Sequence, residues 1–594
     1  MKKKITSILL LTAMLALSLI PIFAANDGAS CGEAHAWSSW IASSDEKIRT
    51  CALCGKIERQ ETVYNPFSDV KDGRWYTEGI VYCYHNDYMA GTSESLFGYK
   101  ATVTRAMFAT ILAGIDKSDV SGYTHAPFDD VADGRWYTSA IAWAAEKGYT
   151  SGIGEGIFGY KNPVTREQLA LFFYTYSEKN GIDVSARADL GIYTDRESIH
   201  GFALDALSWA VAEGLIGGTS ETTVSPRDSA TRAEIPLIVM NYVENIKNAG
   251  IGLPEENIDY SVFDINGLYK TQGRTIMYER GLAMLSSADI FEFNAYCEGK
   301  VAVNFFAETT EDSGDVDVYY TAYVDGKRHA TRFHIGQDGE HEIVLADNIE
   351  KGSHSFRLVR QTEWNYGDIY LTGLSIKGRL TAPPAEKKIY IEFVGDSLTT
   401  GFGNLEHSVP GNVWGGEPIY HDATQSYPYM TAEALGADMS VVAIQGIGVR
   451  CSRHSFTMNE IYNVYPRVYE KDYTYNEERS ADIVVINMLS NDSELRAEEK
   501  IPPREIVEKA KELCEMVRIQ HPDALIVFAP PVLQNQVSKM VEEELGGAAK
   551  GYFVTSIPLD VAGLAGHPSV EGHKTGAETL ITYLEGLIEE YGLN

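Results

Sequence analysis

Residues 389–404 read Ile389-Tyr390-Ile391-Glu392-Phe393-Val394-Gly395-Asp396-Ser397-Leu398-Thr399-Thr400-Gly401-Phe402-Gly403-Asn404. The apolar, β-rich run Ile389 to Val394 stops at a Gly-Asp-Ser turn, which predicts a buried strand with a serine at its end. Four later runs have the same texture: Met439 to Ile444, Ile483 to Met488, Ala524 to Phe528 and Tyr552 to Ile557. Helical stretches lie between them, notably Arg504 to Gln520, and Val570 to Glu590 closes the chain. Strand alternating with helix is the pattern of a parallel sheet covered on both faces, so residues 386–594 are expected to form a three-layer α/β domain. Such folds build their sites at the carboxyl edge of the sheet, where Ser397 falls.

A serine at a strand end is more often a turn or cap residue than a nucleophile. Three later features favour chemistry. The second strand ends at Gln445-Gly446-Ile447-Gly448, where a glycine lets a backbone N–H approach a ligand closely. The third ends at Ser490-Asn491-Asp492, which supplies a side-chain amide, and Gly566-His567-Pro568-Ser569 offers an imidazole before the last helix.

Block order and the spacings of 49, 94 and 170 residues from Ser397 resemble the SGNH (G-D-S-L) hydrolase superfamily. The run around Ser397 and the later His567-Pro568-Ser569-Val570 with His573 more closely resemble carbohydrate esterase family two, which also carries a β-sandwich before its hydrolase domain. The resemblance spans roughly residues 258–594. It implies Ser397 as nucleophile and His567 as general base, with an oxyanion hole from the backbone N–H groups of Ser397 and Gly446 and the Asn491 amide. No metal or organic cofactor is required for that chemistry.

Two departures stand out. Leu564 occupies the place three residues before His567 where the superfamily usually has an acid, and residues 561–566 contain no carboxylate. The resemblance then implies a Ser-His dyad with His567 oriented by a backbone carbonyl, while Asp560 could still fold back to complete a triad. Leu489-Ser490-Asn491-Asp492 stands where G-T-N-D is usual. His573 is expected to pack, and His407, His421 and His454 to have structural roles. Trp414, in the Gly-rich segment 411–416, either forms a sugar platform or closes over the core.

Upstream, Pro66-Phe67-Ser68-Asp69-Val70 with Arg74-Trp75-Tyr76 recurs as Pro127-Phe128-Asp129-Asp130-Val131 with Arg135-Trp136-Tyr137, offset by 61 residues. A looser third copy aligns Trp209 with Trp143 and Arg232 with Arg166 and lacks the R-W-Y segment. Each copy is expected to hold two helices around a Gly-rich turn, and Thr165-x-x-Gln168 and Thr231-x-x-Glu234 read as capping boxes. These copies, residues 64–246, resemble S-layer homology repeats. That implies a helical module holding anionic secondary polymers of a Gram-positive cell wall. Arg105, Arg166 and Arg232, each in a first helical turn, are the candidate grips, with Trp75 and Trp136 as sugar-stacking or packing partners.

Residues 258–380 carry short runs such as Val301 to Ala307, Val316 to Val324, His341 to Leu345, Ser355 to Arg360 and Ile369 to Ile376 between turn signals. They are expected to form a β-sandwich of jelly-roll type. Residues 31–62 hold Cys31, His35, Cys51 and Cys54, a spacing that suits either tetrahedral zinc or a disulfide. Lys2-Lys3-Lys4, the apolar Ile5 to Phe23 and then Ala24-Ala25 have the three-part layout of a secretory signal over residues 1–25, an uncleaved anchor being the alternative.

The 83 acidic side chains against 50 basic ones leave a formal net charge of −33, which opposes nucleic-acid binding. Seven cysteines in 594 residues cannot make a disulfide scaffold, so the cores must come from packing. Together these readings predict a secreted, wall-attached esterase that removes O-acetyl groups from xylan- or mannan-type polysaccharides and has no membrane association after signal removal. The alternatives are deacetylation of the cell's own wall polymer and a non-catalytic carbohydrate-binding wall protein; lipid esters are a lesser one.

Overall fold

The computed structural model describes residues 35, 37–42, 46–71, 74–220, 222–248, 253–310, 314–405, 417–467, 473–475, 479–499, 501–530 and 535–593. The expected secretory signal, Cys31, His407 and Trp414 lie outside the described residues.

Six helices build the repeat region: Thr77–His85, Arg105–Asp116, Thr138–Glu146, Arg166–Lys179, Leu204–Ala212 and Glu234–Asn241. The second helix of each copy packs on the first helix of the next, and Glu234–Asn241 returns to Thr77–His85, closing a ring around one shared core that includes Trp143 and Trp209. Thr165 and Gln168 form the expected capping box, with Gln168 N donating to Thr165 Oγ1 at 3.4 Å. In every copy an aspartate clamps the Gly-rich turn through two backbone N–H groups: Asp69 on Phe97 and Gly98, Asp130 on Phe158 and Gly159, Asp195 on Val224 and Ser225.

Residues 258–380 form one hydrogen-bonded antiparallel sheet of ten strands. The runs His341 to Leu345 and Ser355 to Arg360, expected as separate strands, belong to one 22-residue strand, Gly339–Arg360, paired along Ile290–Glu308. Register shifts between Val344 and Gly352 bend it, and the polar residues there lie at the exposed bend while both ends alternate into the core. A sequence reading splits such a strand because its middle loses the apolar alternation.

The last region is a five-stranded parallel sheet: Tyr390–Gly395, Asp438–Ala443, Ile483–Asn487, Leu525–Phe528 and Tyr552–Val554. Spatially the second strand flanks the first, which is followed by the third, fourth and fifth. Helix Pro503–Gln520 covers one face through Val507, Leu513 and Val517. Tyr427–Ala434 and Val570–Tyr591 cover the other through Tyr427, Leu580 and Leu584. Ile290 and Val359 of the antiparallel sheet, with Ala288 of the turn before it, join that second core, so the two sheet regions bury apolar surface against each other. Among the described residues no helix is long and apolar enough to cross a membrane.

Candidate active site

Asp396 caps the turn after the first parallel strand by accepting from Leu398 N at 3.0 Å, and the one-turn helix Ser397–Thr400 follows. Gly395 has no room for a Cβ against the Thr399 side chain, so the strand can turn this sharply only at glycine. Ser397 is thereby held at the sheet's carboxyl edge with its backbone N–H in a first helical turn, where no intrahelical acceptor exists.

His567 Nε2 lies 2.8 Å from Ser397 Oγ, and His567 Nδ1 lies 3.0 Å from the Leu564 carbonyl oxygen. A carbonyl can only accept, so Nδ1 carries the proton and Nε2 presents its lone pair to the serine hydroxyl. The departure at Leu564 is therefore resolved by its main chain. Leu564 N donates to Gly403 O at 3.1 Å and His567 N donates back to Leu564 O at 3.0 Å, which fixes the loop beside Ser397. Burial lowers the His567 pKa from its ordinary value, against the opposing pull of the Leu564 carbonyl, and Phe402 packs on the ring.

Asp560 does not reach His567. It accepts from Ser569 N at 2.7 Å and Ser569 Oγ at 2.6 Å, bracing the start of helix Val570–Tyr591. Asp560→Asn is therefore expected to change kcat less than 10-fold, where loss of a true triad acid costs about 10⁴-fold. The same variant should lower stability by about 1 kcal/mol as the cap weakens. Ester hydrolysis rates and urea unfolding of the one protein check both.

The other predicted residues converge on the same edge. Gly446 takes a φ of +77°, and its carbonyl accepts from Arg453 N at 2.9 Å. Asn491 Nδ2 donates to Ile447 O at 2.9 Å and faces Asp396 Oδ2 at 3.4 Å. Leu489 holds a φ of +92° where glycine is usual, a strained conformation for leucine that its burial among core side chains enforces. His573 is buried and accepts from Tyr427 N at 3.3 Å, His421 is buried against Phe402, and His454 bonds Gln445 O at 2.6 Å.

Two supporting carboxylates escaped the sequence reading. Asp492 accepts from Val449, Arg450 and Cys451 N at 3.0, 2.8 and 2.8 Å, shaping the loop beyond Gly446. Glu363 reaches in from the loop between strands Gly339–Arg360 and Asp368–Leu380, accepts from Gln445 N at 2.8 Å and Thr400 Oγ1 at 2.9 Å, and burial pushes its pKa up to about 7. Asp396, buried and bonded to Ser490, is pushed up to about 6.

In the repeat region, Arg105, Arg166 and Arg232 are buried, and each ties its copy to the turn of the next. Arg105 Nε donates to Phe158 O at 2.9 Å. Arg166 donates to Val224 O at 3.0 Å and Gly217 O at 2.5 Å, and Arg232 to Phe97 O at 2.9 Å and Ala90 O at 2.6 Å. Their backbone N–H groups bond Asn162, Asp228 and Ala101 carbonyls and are not free as first-turn donors. Trp75 and Trp136 are 61% and 64% exposed, which excludes a core role for either. Trp75 and Arg166 line one cavity of about 230 Å³ with Gly217, Glu234, Leu237 and Asn241.

Comparison with known proteins shows likeness in two parts of the chain. The family profile "Carbohydrate esterase 2 N-terminal" matches residues 294–384, and that of the S-layer homology domain matches 127–170 and 192–235. The chain is 27% identical over 307 residues to "Cellulase/esterase CelE" of Acetivibrio thermocellus, covering 48% of this chain and 36% of that protein. It is 27% identical over 267 residues to "Acetylxylan esterase / glucomannan deacetylase" of Cellvibrio japonicus, covering 40% and 71%. The solved structure of a family two carbohydrate esterase from Clostridium thermocellum in complex with cellohexaose is 24% identical, with a TM-score of 0.49, covering 55% of this chain and 100% of that one. The chain spans about a third or less of the length of the first curated relatives it matches. By these matches the chain carries S-layer homology domains and a carbohydrate esterase 2 N-terminal domain, and it is similar to carbohydrate esterases.

Proposed function

We propose that this chain is a cell-surface carbohydrate esterase that removes O-acetyl groups from xylan- or mannan-type polysaccharides or their oligosaccharides, with Ser397 and His567 as its catalytic dyad. The observation that carries this reading is the 2.8 Å contact between Ser397 Oγ and an imidazole whose other nitrogen faces a carbonyl.

His567 Nε2 takes the hydroxyl proton as Ser397 Oγ bonds to the acetyl carbon, then returns it to the departing sugar oxygen. Water next gives a proton to Nε2 as its oxygen bonds to the acetyl carbon, and Nε2 returns that proton to Ser397 Oγ as the acyl–Oγ bond breaks, releasing acetate and restoring Ser397 and neutral His567. The negative charge on the carbonyl oxygen is met by the N–H groups of Ser397 and Gly446. Asn491 adds the amide proton that otherwise faces Asp396 at 3.4 Å. Glu363 and Asp492 act as positioning residues for the Gly446 loop.

The divisions that fit are a secretory signal over 1–25, a small module over 31–62, three S-layer homology repeats over 64–246, a β-sandwich over 258–380 and the esterase domain over 386–594. Attachment through the repeats to an anionic wall polymer places the enzyme at the cell surface of a Gram-positive bacterium. The cavity shared by Trp75 and Arg166 offers that polymer one aromatic face and the edge of one guanidinium.

The test is acetate release by the full chain from acetylated xylan and glucomannan, together with sedimentation on purified wall sacculi. Release from either polysaccharide and co-sedimentation lost on Trp75→Ala are expected. Release only from the cell's own wall polymer would replace the substrate, and no release from any acetylated polymer would leave a binding protein.

A further inference from the structure

The small module ahead of the repeats holds a second built site. We propose that His35, Cys51 and Cys54 bind one zinc ion, and that this ion holds together the joint between the helical repeats and the antiparallel sheet. The site is independent of the esterase reading.

The ligand geometry comes first. Cys54 Sγ lies 3.4 Å from His35 Nδ1, and the ligand atoms of His35, Cys51 and Cys54 all lie within 4.8 Å of one another. Tetrahedral zinc, with bonds of about 2.3 Å to sulfur and about 2.0 Å to nitrogen, sets neighbouring donors roughly 3.5–3.8 Å apart, so small side-chain adjustments complete three corners. The Cys51–Cys54 segment is a tight turn, with Gly55 N donating to Cys51 O at 3.0 Å, Cys51 N donating to Lys56 O at 2.8 Å and Gly55 at a φ of +70°. That turn aims both sulfurs to the side where His35 stands. The ring of His35 is held by Trp37, at 4.8 Å between centroids. Two thiolates and an imidazole are a donor set that favours zinc over magnesium or calcium, and each thiol gives its proton to solvent on binding. Among the described residues these three supply the donors of the cluster.

The second argument is the size of the module's core. Its sheet consists of strands Ile41–Ala42, Glu46–Thr50 and Ile57–Glu61, with burial patterns of mostly half-buried or exposed residues. Among the described residues its buried apolar ones are Ile48, Cys51 and Ala52, too few to hold a fold of this size without a staple.

The third is where it sits. On one side Trp40 N donates to Asn86 Oδ1 at 2.8 Å, and Tyr82 OH donates to Ser39 Oγ at 2.7 Å, both partners coming from the first repeat helix and its cap. On the other side Ile48 enters the core of the antiparallel sheet with Tyr260 and Leu268, Gly55 abuts Ile258, and Arg59 donates to Asn266 O at 3.2 Å. The cluster thus lies in a wedge that touches both neighbours, and order in the wedge sets their relative placement.

The experiment is metal analysis of the full chain after exhaustive dialysis against metal-free buffer, together with the absorption spectrum of the cobalt-exchanged protein. About one zinc per chain, intense sulfur-to-cobalt charge-transfer absorption and loss of zinc in Cys54→Ser and His35→Ala are expected. Stripping the zinc should speed proteolysis between residues 35 and 61 at least 10-fold. The cobalt spectrum is read on the unmutated chain, so it stands even if a variant fails to fold. A metal-free chain two mass units light, with a Cys51–Cys54 disulfide, would overturn the proposal. So would a metal-free chain with free thiols, or zinc that survives both substitutions.

Discussion

Ser397→Ala is expected to lower kcat for 4-nitrophenyl acetate by at least about 10³-fold, with the folded structure intact. The side chain is buried beside His567 and does not support the core, so its loss removes the proposed nucleophile and little else. His567→Ala should fall as far, and the double variant no further, because the two groups act as one unit. The pH profile reads the same pair. Catalysis needs neutral His567, and burial lowers its pKa below 6.5, so kcat/KM should rise with pH through an apparent pKa below that value and then stay level. Full activity in Ser397→Ala would remove the dyad from the mechanism.

The largest stability effect is expected at Glu392, on the strand that delivers the serine. Its carboxylate is buried and pairs with Arg274 of the antiparallel sheet at 3.0 Å. It also accepts from Tyr462 OH at 2.5 Å, His521 Nε2 at 3.3 Å and Ser440 Oγ at 3.3 Å. His521 Nδ1 accepts from Ala481 N at 3.0 Å, which assigns the proton to Nε2 and makes it a donor to Glu392. Burial alone would raise the Glu392 pKa; Arg274 first, then His521 and Tyr462, outweigh it and hold it at about 2. Glu392→Ala removes a buried carboxylate that four donors share and that is paired with the Arg274 guanidinium, so a loss of about 3–5 kcal/mol is expected in urea unfolding. Because the folded pKa lies below the unfolded one, the wild-type contribution is full above about pH 4.5 and is lost as pH falls toward 2. An Arg274→Met, Glu392→Met double variant should recover part of the loss, since it buries no unpaired charge.

The α/β region was legible because its signals are local. Five apolar runs, glycines at the turns and helices of apolar period settle a parallel sheet, and the parallel strands and closing helices fall within a few residues of their expected places. The meeting of Ser397 and His567 was foreshadowed for the same reason, since each sits in a short motif that fixes the backbone beneath it. Even the missing acid could be read, because three residues are the reach of a loop carbonyl turned back on its own histidine.

What the amino-acid sequence determined by itself is therefore period, turn and motif, all of which act within a few residues. The tertiary structure alone decided which distant groups meet. Glu363 reaches Gln445 across 82 residues, and Arg232 reaches Ala90 across 142. Each of the three arginines reaches a carbonyl of the neighbouring repeat, and Arg232 does so only because the ring closes on the first copy. Strand Gly339–Arg360 stays continuous through its polar middle because its partner, Ile290–Glu308, pairs with both of its ends across the register shifts. Such pairings depend on the packing of whole elements, which places groups far apart in the chain within one hydrogen-bond length and leaves no mark in local composition.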